Sequence, residues 1–199
     1  MCARNFHPIS VDIIQQEHQH LSAVIQTMLD FVRSTDKGEA PPDLKLFRAI
    51  LFYICEYPEK VHHPKEDKFL FSKIKERTHQ LDNVLDALIE QHGNGEYLVR
   101  NLQNALLKYE FFGVPAFPHF RDLAEQYALF YYAHMQTEEN EVLPVAKLVL
   151  NVNDWQEVDQ AFMENRHQLD GAGERYRYEQ LFSYIISHSS RASAAPDPL

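Results

Sequence analysis

The stretch His62-His63-Pro64-Lys65-Glu66-Asp67-Lys68-Phe69-Leu70-Phe71-Ser72 decides the fold, because almost the same order of residue types returns at His134-Met135-Gln136-Thr137-Glu138-Glu139-Asn140-Glu141-Val142-Leu143-Pro144. Each copy runs histidine, three residues, two acids, two residues, two apolar residues. Residues four apart on a helix share a face, so His62 with Glu66 and His134 with Glu138 each point an imidazole and a carboxylate the same way. Two such pairs facing one another carry donors for two metal ions.

The flanking chain repeats helical periodicity on both sides. From Val11 to Arg33 apolar residues fall at Ile14, Leu21, Ile25, Met28 and Val32, with Ser10 as a candidate N-cap. His18 interrupts that stripe and must face the core, whereas His20 is turned away toward solvent. Residues 34–42 form a polar link, and Asp43 starts a second helix to about Arg77. Pro58 and Pro64 fall inside that helix and predict a kink or bulge, since each removes a backbone donor. If Pro64 broke the helix, His63 with Asp67 would be the rival pair at the same spacing. A third helix runs from about His79 to Tyr109 with Leu81, Leu85, Leu88, Val99, Leu102 and Leu106 on one face and His92 in its gap. Gly93 and Gly95 each cost about 1 kcal/mol relative to alanine there, so small size is wanted, for a site or for helix packing. The fourth helix, from about His119 to Leu150, carries Phe120, Leu123, Tyr127, Tyr131, His134, Glu138, Val142, Val145 and Leu148 inward, with a kink at Pro144. Tyr127 and Tyr131 either pack or donate to a bound ligand.

Beyond it, Asp154 and Glu157 suggest a capping box for a shorter helix with Trp155, Val158 and Phe162 inward. Residues 170–173 form a loop, and Glu174 to about Ser187 form a last amphipathic helix. The expected fold is all-α: an up-down-up-down four-helix bundle with two additional shorter C-terminal helices. The expected divisions are an N-terminal arm (1–10), the bundle (11–150), the C-terminal helices packed on it (151–188) and a flexible tail (189–199).

Composition narrows the function. A chain of 199 residues that is 45% hydrophobic can bury one core, and only six glycines with few alternating runs argue against a sheet protein. A net charge of −10 disfavours nucleic acid and anionic membrane surfaces. No window is long and apolar enough to span a membrane, and the first residues lack an apolar leader. Cys2 and Cys55 lie outside any CxxC motif and are expected to be free thiols, Cys55 buried, in a reducing, cytoplasmic setting.

His18, His62, His92 and His134 thus stand one on each long helix, on its apolar stripe. A lone core histidine is usually just packed, but four on four helices, with Glu66 and Glu138 among them, would leave buried charges that cost several kcal/mol each without a cation. Imidazole with carboxylate suits iron, manganese or zinc, and the lack of thiolate ligands argues against iron-sulfur clusters. At least six donor groups exceed one tetrahedral zinc and suit two six-coordinate ions. His7, His20, His63, His79, His119, His167 and His188 fall off the stripes and are expected at the surface.

On Glu17-His18, His62-His63-Pro64-Lys65-Glu66-Asp67, Gln91-His92-Gly93-Asn94-Gly95-Glu96, His134-Met135-Gln136-Thr137-Glu138-Glu139, and Asp154-Trp155 with Ala161-Phe162, the chain resembles the bacterial hemerythrin-like proteins, over about Val11 to Phe182. That resemblance implies a centre of two iron ions with an oxo or hydroxo bridge, His18, His62, His92 and His134 as terminal ligands, and Glu66 and Glu138 as bridges. Oxygen-carrying hemerythrins have a second histidine one turn after the first on the third helix. This chain has Glu96 there, either a further metal ligand or a solvated helix residue. As a ligand it would make the centre more anionic, favour ferric iron and disfavour reversible oxygen release. The iron-sulfur-repair di-iron proteins share the histidine-plus-glutamate arrangement.

The leading expectation is a di-iron protein that binds dioxygen, peroxide or nitric oxide for sensing, scavenging or storage. A redox enzyme, or an iron donor for damaged iron-sulfur clusters, is the alternative and would need an electron partner or a release path. A helical interaction module without metal is the third. A homodimer through aromatics of the last two helices stays open.

Overall fold

The computed structural model describes residues 7–38, 43–168 and 174–192. Among these there are six helices and no strand. Helix α1 is Ile9–Asp36; α2 spans residues 44–77; α3 is Asp82–Phe112; α4 spans residues 117–149; α5 is Val152–Gln168; α6 is Glu174–Ala192. Each of α1 to α4 packs against its neighbours in the chain, and α4 closes back on α1. Helix α6 lies against α1 and α2, and α5 against α1 and the second half of α2. Residues 1–6 of the expected arm, 170–173 of the expected loop, 193–199 of the expected tail and Cys2 lie outside the described residues. Among the described residues no helix is long and apolar enough to cross a membrane.

The prolines are absorbed by widened turns. Helix α2 is α-helical over Leu44–Glu56, π-helical over Pro58–His62, α-helical at His63–Lys65, π-helical over Glu66–Phe71, and α-helical again over Ser72–Arg77. Helix α4 has one π-helical segment, Glu138–Val142, between Phe117–Thr137 and Leu143–Val149. In these turns the amide of His63 donates to the Pro58 carbonyl and that of Leu143 to the Glu138 carbonyl. The longer span re-partners backbone groups that a proline would otherwise strand, without ending the helix.

The widening also shifts the buried face. Past residue 142 the inward residues are Leu143, Ala146 and Leu150, whereas Val145 is half-buried and Leu148 is 84% exposed, against the uninterrupted stripe expected from the sequence. One extra residue in the turn accounts for the change.

Helix starts also differ from expectation. Ser10 is not an N-cap: α1 begins at Ile9, and the Ser10 amide and hydroxyl both donate to Asp159 Oδ1 of α5, at 2.8 and 2.6 Å. Asp43 does cap α2, accepting from the Leu46 amide at 3.0 Å. The reciprocal cap of α5 is Asn151 with Asp154, not Asp154 with Glu157: Asn151 Oδ1 accepts from the Asp154 amide at 3.1 Å and Asp154 Oδ2 from the Asn151 amide at 2.9 Å. Arg77 clamps the same carboxylate through two bonds of 2.8 and 2.7 Å. Glu157 instead pairs with Lys73 at 2.8 Å.

The core is divided. One apolar cluster holds Val24, Ile25, Met28, Phe47, Ile50, Phe120 and Tyr127; the other holds Val11, Ile14, Phe71, Leu85, Val142, Trp155 and Phe162. His18, Glu66, His92 and Glu138 lie in sequence between members of the two, so a polar layer separates them.

Candidate metal centre

Six of the seven side chains expected at the site converge. His18, His62, Glu66 and Glu138 form one group with donor atoms within 4.8 Å of one another, and His63, His92 and His134 form a second. All are buried, Glu66 and Glu138 to 0% and 1% exposure. His18 Nε2 stands 3.2 Å from His62 Nε2, and His92 Nε2 3.1 Å from His134 Nε2. Glu138 spans the groups, with Oε2 3.2 Å from His18 Nε2 and Oε1 3.3 Å from His134 Nε2. Glu66 Oε2 lies 3.3 Å from His62 Nε2 and 3.8 Å from His92 Nε2.

The far nitrogen of each ring has its own partner, supplied by a different helix. Glu17 of α1 meets His62 Nδ1 at 2.6 Å, and Asp67 of α2 meets His92 Nδ1 at 2.7 Å. Gln91 of α3 meets His134 Nδ1 at 2.8 Å, and Glu139 of α4 meets His18 Nδ1 at 3.0 Å. These supports run in a ring from each helix to the next. Each partner oxygen only accepts, so each Nδ1 carries its proton and donates, and each neutral ring turns the Nε2 lone pair inward.

With the rings neutral, lone pairs would face one another at 3.1–3.2 Å, and neither oxygen of Glu66 or Glu138 has a hydrogen-bond partner. A cation between them resolves both problems. Two imidazoles at right angles on one ion, each about 2.1 Å from it, put their nitrogens about 3 Å apart, close to the observed separations. The donor set therefore fits metal ions on an observation of the side chains alone.

The hemerythrin HHE cation-binding domain model matches residues 10–146. The chain belongs to that family. Neither a curated relative nor a solved structure matches it. In this hemerythrin HHE domain the matched segment holds α1 to α4 almost entirely, and with them every donor of both groups.

Electrostatics follow from the crowding. Burial opposes a charge on His18, but Glu138 and Glu139 outweigh it and carry its pKa up to about 9. His92 reaches about 9 in the same way, burial being outweighed by Asp67 and Glu138. Burial is likewise outweighed at His62, raised well above the usual range by Glu66 and Glu17, and at Glu138, held well below it by His134. Without a cation, the domain holds this layer together with protons.

Two surface placements, of His63 and His20, are corrected here, and the structure bears on the alternatives left open for Glu96. Glu96 is exposed and is not brought to either group; on the helix turn where it was expected to bind, the inward residue is Gly95. His63, expected at the surface, is 3% exposed and joins His92 and His134. The widened turn on each side of His63 lets α2 turn consecutive residues inward, so His62 with Glu66 and His63 with Asp67 are not rivals but serve successive parts of one site. His63 stays neutral, its pKa driven well below normal by burial and by His92 and His62 nearby. His20 is half-buried and stacked on Phe182 with ring centres 4.3 Å apart, not solvated. His7, His79 and His119 are exposed as expected.

Glu17, Asp67, Gln91 and Glu139 were not legible as ring supports. Each immediately precedes or follows a predicted donor, and that adjacency is the signal in the sequence. A groove of about 800 Å³ between α1 and α4, lined in part by His18, Ser22, Met135 and Glu139, gives the first group a route to solvent.

Proposed function

We propose that this hemerythrin HHE protein is a non-haem di-iron protein that binds dioxygen, a peroxide or nitric oxide, for sensing, scavenging or storage. The single observation that supports it is the paired imidazoles, 3.2 and 3.1 Å apart, around two buried carboxylates without hydrogen-bond partners. His18, His62 and Glu66 would hold one ion, His92 and His134 the other, and Glu138 both. Iron there would supply an open coordination position and the electrons that a diatomic or peroxide ligand needs. The protein's own part is separable from that chemistry. Glu17, Asp67, Gln91 and Glu139 lock the imidazoles in one tautomer and orientation, and the two apolar layers flank the donors on either side.

Anaerobic reconstitution with ferrous iron, followed by metal analysis and absorption spectra in air, tests the proposal. The expected result is two irons per chain and an oxo-to-iron charge-transfer band in the near ultraviolet that dithionite bleaches. Iron below one per chain, or no such band, overturns the di-iron reading.

A further inference from the structure

Beside the second group stands a buried acid that metal binding leaves unused. Glu59 lies four residues before His63 on α2; its Oε2 is 3.5 Å from His63 Nδ1, and its Oε1 accepts the hydroxyl of Tyr131 on α4. Its side chain is 1% exposed, and burial raises its pKa to about 7 against the opposing hydroxyl of Tyr131, so it stands as a carboxylate above that pH. Space for it is made from across the bundle: a Cβ at position 95 would collide with the Glu59 carboxylate, and Gly95 of α3 has none. A glycine inside a helix costs about 1 kcal/mol and a buried carboxylate several, so two unfavourable choices fit one another at one point.

That point adjoins the second position through His63. The His63 ring lies flat on His92, centres 4.2 Å apart and planes within 8°, with one of its nitrogens within 4.8 Å of the donors of His92 and His134. Lone pairs lie in the ring plane, and those of two parallel stacked rings do not converge on one ion. His63 therefore borders the coordination space without filling it. Its Nδ1 has no hydrogen-bond partner at normal distance, and the Glu59 carboxylate is the acceptor facing it.

Resting on the metal-binding reading, we infer that Glu59 is an anionic positioning residue for the ligand face of the second metal position, acting through His63 to favour a protic, uncharged ligand, water or hydrogen peroxide, over an anion. A carboxylate at Nδ1 fixes the proton there, which leaves the other nitrogen of His63 to accept from a ligand O–H. The same carboxylate, shielded from water, repels an incoming negative charge. Tyr131 holds it in place and Gly95 admits it.

The test uses the full chain loaded with iron and titrated with azide at about pH 8.5, where Glu59 is ionised, read by absorption after metal analysis of each sample. Glu59→Gln keeps the shape and removes the charge; Gly95→Ala keeps the acid and displaces its flexible end. Both are expected to retain the parent's iron content and to bind azide about tenfold more tightly, with no further gain in the double variant. Azide affinities within about twofold of the parent in either single variant overturn the inference, since both remove the same charge from the same place. Loss of iron in both variants overturns it too, because Glu59 would then be a ligand. A parent chain that takes up no iron sinks the proposed function, and this inference with it; metal analysis distinguishes that failure from the others.

Discussion

His18 and His62 are backed by two carboxylates, Glu139 and Glu17, and lie beside a groove open to solvent; His92 and His134 are backed by one carboxylate and one carboxamide, Asp67 and Gln91, and border a sealed corner of His63, Glu59 and Tyr131. The two halves share ring spacing, burial and the Glu138 carboxylate, so what separates them is their surroundings. More negative charge at the ring supports makes the first pair the stronger cation holder. The enclosed polar corner makes the second the place where a small ligand is discriminated.

Removing the shared carboxylate should erase the difference altogether. Glu138→Ala is expected to abolish stoichiometric metal at both positions, measured as metal per chain after reconstitution; retention of one full equivalent would mean that the halves bind independently. Next in size, Glu17→Leu and Gln91→Leu should each weaken metal binding by about 10- to 100-fold, with the larger loss for Glu17, by competition with a chelator of known affinity. Equal losses would remove the asymmetry.

Chelator-treated protein should respond to pH at both halves alike. His18 and His92 have pKa values raised to about 9, so their contribution to folding is fully present below about 6.5, the unfolded value, and lost as pH rises through about 9. Glu138 is depressed, so its contribution is present above about 4.5 and lost as pH falls through its lower folded value. Metal-loaded protein needs neutral rings and gains affinity as protons leave. Thermal melts of the two forms at pH 6, 7.5 and 9 should therefore diverge toward alkaline pH; parallel curves would contradict the assignment. The smallest effect is a control on α3: Gly93→Ala meets open space and should stabilise the chain by about 1 kcal/mol in denaturant unfolding, with metal content unchanged.

The six helices and most donors were legible because burial on a helix leaves a period, and His18, His92 and His134 each sit on one. The doubled histidine-acid motif also exposed the relation between α2 and α4. What it could not expose was the widened turn starting at Glu66 and again at Glu138. Periodicity assumes a constant angle per residue, so Leu148 was placed inward and His63 outward, the one beyond the turn at Glu138–Val142 and the other just past that at Pro58–His62. Glu96 stayed open between ligand and solvated residue for a different reason: its distance along the chain suited a ligand, while the side chain lying against that turn, Glu59, comes from another helix. The ring supports escaped because a residue adjacent to a ligand on its own helix points away from it, and only the neighbouring helix reveals its target.

The layered interior bears on how the molecule comes apart. Among the described residues the buried apolar side chains fall into two separate compartments, with the seam of rings and acids between them. A captured ion is then a rivet between two ends, and stripping it leaves each end free to loosen by itself, so amide exchange should quicken first beside the seam and cooperativity of melting should drop.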